Sequence, residues 1–273
     1  MSPIDHFSYG LITPVLSYAM SSVGSMLGLL LASRARLVQG RERAFWLVGA
    51  AVALGGTGIW TMHFIAMMGF GVRGTVIRYD VPLTAASAFL AVVVVGTGLF
   101  LVSYHGERVA YLLGGGLLTG VGVAGMHYLG MIAMNMSGHV SYDPLIVTLS
   151  VLIAIAAATV ALWFTIRVTG AVQRIGAALI MGIAVTGMHY TGMFAMAVDV
   201  HETTIPLAGS KGIDFLLPLI VGISLITVGL LLAVMLSPSE RELRGEEEYL
   251  SRTETEKGDE GAPQANLFGT PRG

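Results

Sequence analysis

Seven stretches of roughly 20 mostly apolar residues, the length of a bilayer crossing, leave this chain few ways to fold. They lie at about 13–32, 44–68, 83–103, 109–134, 145–166, 175–198 and 215–236. In hydrocarbon every backbone N–H and C=O must be paired within the protein, so each run is expected to be a helix. The polar alternation of a membrane barrel is missing. Charge agrees: 12% of residues are charged, against roughly 25% in soluble domains. Nine of the 17 acidic residues follow Leu236. The chain therefore reads as an all-α integral membrane protein, with a seven-helix domain over 1–236 and a polar, flexible cytoplasmic tail over 237–273. Met1–Ile12 has no Lys or Arg, so it lacks the basic start of a cleaved signal, and the first run is expected to be permanent.

Basic residues set a direction. Arg34, Arg36, Arg41, Arg43, Arg108, Arg167 and Arg174 follow the first, third and fifth runs, and Arg241 and Arg244 follow the seventh. Only Arg73, Arg78 and Lys211 face them. Positive residues favour the cytoplasmic side, which puts the N-terminus outside and the C-terminus inside. Pro14, Pro82 and Pro144 fall near the starts of odd-numbered runs, where a missing N–H costs nothing. Pro218 lies inside its run. Thr13 and Asp143 are expected to cap two of these starts. Gly116 and Gly120, with Gly55, Gly56 and Gly58, are expected to let helices approach closely.

Three segments match one another: Met62-His63-Phe64-Ile65-Ala66-Met67, Met126-His127-Tyr128-Leu129-Gly130-Met131 and Met188-His189-Tyr190-Thr191-Gly192-Met193. Their spacing equals two membrane passes, which predicts three parallel two-helix repeats plus a seventh helix. Each cluster falls near the outer end of an even-numbered run. A Met four residues after each His shares its helical face. Met134 and Met196 extend that stripe at plus seven if the helices continue, while Met62, Met126 and Met188 point to a neighbouring face. His63 would then sit roughly 9 Å below Gly69, a shallow buried position. Phe64, Tyr128 and Tyr190 fit an outer interfacial belt, and Asn135 a helix end.

These residue types favour certain chemistry. Thioether sulfur prefers Cu(I), and imidazole accepts copper, zinc, nickel or iron. Without carboxylates in the helices, the set favours copper over calcium or magnesium. Ionisable groups in a bilayer are costly and tend to be functional. With no cysteine, disulfides, thiolate sites and cysteine nucleophiles are excluded. A net charge of −2 gives no support to nucleic-acid binding. His6, His139, His201, Asp143, Asp199 and Glu202 read as ordinary loop and capping groups, with receipt of a metal ion from outside as the alternative. His/Met pairs could also ligate haem, the weaker cofactor reading. Copper or small-solute transport is a further alternative, though only the isolated His105 marks the cytoplasmic half. No acid–base constellation suggests an enzyme.

The three motifs closely resemble the MHYT family of bacterial membrane sensor domains. Met188-His189-Tyr190-Thr191 matches the naming motif in full, the second copy departs at Leu129, and the first at Phe64 and Ile65. The resemblance covers about residues 9–236. It implies a sensor of the cytoplasmic (inner) membrane, surrounded by membrane lipid. It also implies copper held by Met62, His63, Met67, Met126, His127, Met131, Met188, His189 and Met193, with oxygen, carbon monoxide or nitric oxide as signals. Met134 and Met196 join that set from the spacing alone. The family's domains are commonly fused to second-messenger, kinase or DNA-binding outputs. The polar segment after run seven is too poor in apolar residues for such a module, so a stand-alone form signalling through a separate cytoplasmic or membrane protein is expected.

Overall fold

The computed structural model describes residues 4–106, 108–201, 206–236 and Tyr249. Among them are seven helices long and apolar enough to cross a membrane: α1 (Ile12–Ala35), α2 (Gly40–Met68), α3 (Val81–His105), α4 (Val109–Ile132), α5 (Pro144–Arg167), α6 (Ala171–Phe194) and α7 (Gly212–Leu236). The protein is an all-α, multi-pass membrane protein. The expected tail, with a short helix over 240–250, lies outside the described residues apart from Tyr249.

The pattern of burial is that of a bundle in lipid. Large apolar side chains such as Phe89, Leu145, Leu152, Val172, Ile183 and Leu225 are exposed on its perimeter, where hydrocarbon replaces water as the solvent. Small polar groups turn inward instead: Ser17, Ser21, Ser25, Thr57, Thr84, Ser87 and Ser150 are all buried. Small residues of this kind let membrane helices pack closely. Contacts run from α1 through each successive helix to α6, and α6 closes back onto α1. The Thr57 and Thr227 hydroxyls, 2.5 Å apart, join α7 to α2.

Gly116 and Gly120 behave as their spacing suggests. A methyl on Gly116 would strike Thr159, and one on Gly120 the backbone of Ala154 and Ile155. Gly55 packs in the same way on the backbone of Ala91 and Val92. Gly55, Gly56 and Gly58 of α2 lie in a π-helical stretch, Val52–Thr61. Its widened turns end at the residue before Met62, and such stretches inside α-helices often mark functional sites.

Asp143 caps α5 as expected, accepting from the N–H groups of Leu145 at 2.8 Å and Ile146 at 3.2 Å. Asp80 does the same for α3, accepting from Leu83 N at 2.9 Å. Thr13 does not cap α1. The helix begins one residue earlier, at Ile12, and Thr13 lies inside it, buried against Gly69.

Among the described residues, the β-structure sits where even-numbered helices end and odd-numbered ones begin. Strand β1 (Ile4–Asp5) pairs with β2 (Gly71–Val72). Strand β3 (Arg78–Tyr79) lies between β4 (Met134–Asn135) and β7 (Ser210–Lys211). Strand β5 (Gly138–Tyr142) pairs with β6 (Met196–Val200). Every pair is antiparallel. We call this the strand end and the opposite one the arginine end. These strands end two helices early. The fourth and sixth runs are expected to reach 134 and 198, but α4 stops at Ile132 and α6 at Phe194. Met134 pairs with Tyr79, and Met196 with Tyr142. The two methionines therefore do not extend a helical stripe. Asn135 does not cap a helix either, since its side-chain N–H donates to Ala208 O at 3.2 Å.

One bond recurs three times. Gly69 O accepts from Ser8 N, Ala133 O from Asp80 N, and Ala195 O from Asp143 N, each at 2.8 Å. The acceptors all lie six residues after a motif histidine. Each ties the end of an even-numbered helix to the approach of the odd-numbered helix before it.

Candidate metal centre

Helices α2, α4 and α6 bring His63, His127 and His189 together, all three fully buried. Their Nδ1 atoms form a near-equilateral triangle. His63 to His189 is 3.0 Å, His63 to His127 is 3.1 Å and His127 to His189 is 3.3 Å. The rings stand nearly perpendicular to one another, with centroids 4.9 to 5.1 Å apart. Close approach depends on the residue three after each histidine. A methyl at Gly130 would meet His63 Nε2 at 2.5 Å, and one at Gly192 would overlap His127 Nε2. The corresponding position in the first copy is Ala66, also small and buried.

Three imidazole nitrogens at this spacing cannot satisfy one another. A ring nitrogen that carries hydrogen only donates, and one that lacks it only accepts. Around a triangle at least one contact must therefore be donor against donor or acceptor against acceptor. The three Nε2 atoms are buried without a hydrogen-bond partner among the described residues. Buried polar atoms left this way cost roughly 1–3 kcal/mol each. A cation resolves the conflict, because all three Nδ1 lone pairs can then point at one positive centre.

The dimensions fit. A metal bound to three nitrogens at about 2.0–2.1 Å and near-tetrahedral angles spaces them about 3.3 Å apart, with a fourth direction left open. The observed edges lie at or slightly inside that value. Among the described residues, these three form the group of histidine and carboxylate side chains that could hold a metal ion.

The methionines are buried about this core. Met67, Met126, Met131, Met134, Met193 and Met196 share one apolar cluster with Trp60, Phe64 and Tyr79. Met188 belongs to the cluster extending toward the arginine end, and Met62 is buried beside His63. Met134 and Met196 thus reach this core from strands, not from the helix faces that carry the histidines. Phe64 is not at a membrane interface: it is fully buried, with its ring 4.7 Å from those of His63 and Trp60. Tyr128 is half-buried, its hydroxyl 2.6 Å from Ser150 Oγ.

The N-terminal segment and the strands pack on this apolar core through Ile4, Val72, Tyr79 and Val198, and the centre is buried. His6, expected as a loop residue, is half-buried with its ring 4.7 Å from Phe194 and 5.7 Å from Phe70. Burial holds its pKa below the ordinary histidine value, partly opposed by the negative charge of Asp5. The chain's order conceals this packing, since His6, Phe70 and Phe194 are far apart in sequence. His139 faces Asp199 across β5 and β6. His201 lines an open groove of about 540 Å³ with Met134, Asn135 and Met136. Glu202 lies outside the described residues. At the arginine end, His105 stacks on Tyr111 with centroids 3.9 Å apart.

The family comparison matches the first two of the three motif copies. Residues 56–115 and 120–178 match the MHYT family, described as a bacterial signalling protein N-terminal repeat. The bifunctional diguanylate cyclase/cyclic di-GMP phosphodiesterase MucR of Pseudomonas aeruginosa is 39% identical over 244 residues, covering 87% of this chain and 35% of that protein. The signaling protein YkoW of Bacillus subtilis is 33% identical over 210 residues, 74% of this chain and 25% of its own length. The cyclic di-GMP phosphodiesterase NbdA of Pseudomonas aeruginosa is 36% identical over 159 residues, 55% of this chain and 20% of its own. The chain thus spans about a third or less of the curated relatives it matches. No solved structure matches it. With their repeated motifs, and with His63 and His127 of the buried three-histidine cluster among them, residues 56–178 of this chain belong to the MHYT family of bacterial signalling proteins.

Proposed function

We propose that the Nδ1 atoms of His63, His127 and His189 hold a copper ion, and that ligand binding at this centre is the signal the protein detects. The nitrogen triangle carries this reading. Three imidazoles alone suit zinc as well as copper. The surrounding methionines, Met62, Met67, Met126, Met131, Met134, Met188, Met193 and Met196, favour a softer ion. When bound, copper would offer an open coordination position to oxygen, carbon monoxide or nitric oxide. The chain's own part is to hold three nitrogens rigidly, exclude water and keep the site in apolar surroundings.

Haem fits poorly. Nitrogens 3.0 to 3.3 Å apart, on rings packed ring to ring, leave no slot for a porphyrin between them. Transport is the weaker reading because the bundle toward the arginine end is lined by apolar residues, among them Leu54, Val95, Val123 and Leu162, which give a cation no polar path. The thrice-repeated 2.8 Å bond from an odd-helix approach to a carbonyl six residues after each histidine supports three two-helix repeats with α7 added. Basic residues at the arginine end favour that end as cytoplasmic, with the N-terminus outside, in the cytoplasmic (inner) membrane of a bacterium. The relatives' names point to cyclic di-GMP turnover as the class of output.

Metal analysis tests the centre. Detergent-purified protein loaded with Cu(I) is expected to retain about one copper per chain, by analogy with other three-histidine sites. Joint replacement of His63, His127 and His189 by Ala should abolish retention. Equal, negligible copper in both proteins would sink the proposal. Preferential retention of zinc under competition would replace copper by zinc and leave the site in place.

A further inference from the structure

The bundle encloses a second feature one helical turn from the histidines. A cavity of about 50 Å³ is lined by side chains of α1 to α6. Ile59, Val123 and Val185 line it, and each lies four residues before a motif histidine. Four residues are about one turn, or about 6 Å. Met188, directly before His189, also lines it. The cavity therefore lies about one turn from the nitrogen triangle on the side of the arginine end, with α5 forming its largest wall through Ala154, Ala158 and Leu162.

Its chemistry is narrow. The lining is apolar except for three hydroxyl residues, Ser25, Thr119 and Thr165. Thr119 donates to Val94 O at 3.3 Å and Thr165 to Leu162 O at 2.7 Å, so these two protons are engaged elsewhere. A water molecule needs about 10–15 Å³ and two to four polar partners. The space is large enough for water but too poor in partners, and apolar cavities of this kind stay dry and accept apolar guests. A charged or strongly polar guest would lose its hydration without replacement. Two or three heavy atoms fill the volume. The wall toward lipid is thin, because half-buried Ala157 and Ala161 of α5 form part of it. Apolar gases concentrate in hydrocarbon and can enter through such a wall.

We propose that this cavity is the docking chamber for a small uncharged apolar molecule, of the class of dissolved diatomic gases, which approaches the three-histidine centre from the bilayer. The link to signalling rests on the sensor reading above, whereas occupancy of the chamber does not. Xenon is the probe, bound to the full chain in detergent without metal and read by xenon NMR. One saturable site is expected. Ala158→Leu, which fills the chamber, should weaken xenon binding at least tenfold, and Val123→Ala, which enlarges it, should strengthen binding. Misfolding would not produce opposite changes. No saturable site, or unchanged binding in Ala158→Leu, overturns the chamber. In Cu(I)-loaded protein the infrared C–O stretch of added carbon monoxide should shift in Ala158→Leu at unchanged copper content. An identical stretch overturns the chamber's link to the centre. If xenon binds while the chain retains no metal, the metal reading fails and the chamber stands.

Discussion

At position 192 a single hydrogen atom in place of a methyl sets how closely α6 can approach His127. Gly192→Ala must push the ring away or separate two helices, and overpacking of this kind costs roughly 1–3 kcal/mol. We expect it to weaken metal retention about tenfold, equivalent to about 1.4 kcal/mol, while the helix content by circular dichroism stays unchanged. Gly187→Ala, at a site on the same helix with open space around it, is the control. Equal retention in the two variants would show that the close approach has no bearing on the centre. The histidines were legible in the sequence because repetition exposed them. The role of Gly130 and Gly192 was not, because it depends on which neighbouring ring rotates into the space. Phe64 was misplaced for the same reason: helix rotation, not depth alone, decides whether an aromatic side chain meets headgroups or the core.

Among the elements, the seven helices were legible and the strand end was not. Hydrophobic runs record where a chain must be helical in lipid. They do not record that Met134 and Met196 would find backbone partners in Tyr79 and Tyr142 and so leave the helix. The N-terminal segment belongs to the same end, through β1 and the bond from Ser8 N to Gly69 O. Burial lowers the pKa of His6, so docking favours its neutral form. Its contribution is full above the ordinary histidine value, roughly pH 6.5, and is lost as pH falls toward the lowered folded value. Hydrogen exchange at residues 4–8, corrected for intrinsic rates, should show less protection at acid pH than at neutral pH. His6→Phe should flatten that dependence. A parent segment with no pH dependence, or a His6→Phe segment that keeps it, would contradict the assignment.

Across the whole molecule the two ends are held differently. At the arginine end, fixed side chains tie helices together. Arg36 donates to Val168 O at 2.7 Å and Arg34 to Val234 O at 3.3 Å. Arg43 binds both the carbonyl and the hydroxyl of Ser103. At the strand end, the three histidine nitrogens meet in a triangle whose members cannot satisfy one another. A ligand shifts a conformational equilibrium only by binding one state better than another, and this triangle is a place where metal can do so. Loading should therefore hold α2, α4 and α6 at one spacing at the strand end, with the arginine end as the base. The chain has no cysteine, so spin labels can be introduced singly. Met68, Ile132 and Phe194 are exposed at the strand ends of these helices. Pairwise distances between labels at those sites should narrow in distribution on adding Cu(I) or Zn²⁺, both diamagnetic. They should not narrow in the variant lacking all three histidines. Distributions that are equally narrow before and after loading would mean that the helices are already fixed, and that metal at this centre moves nothing a partner could read.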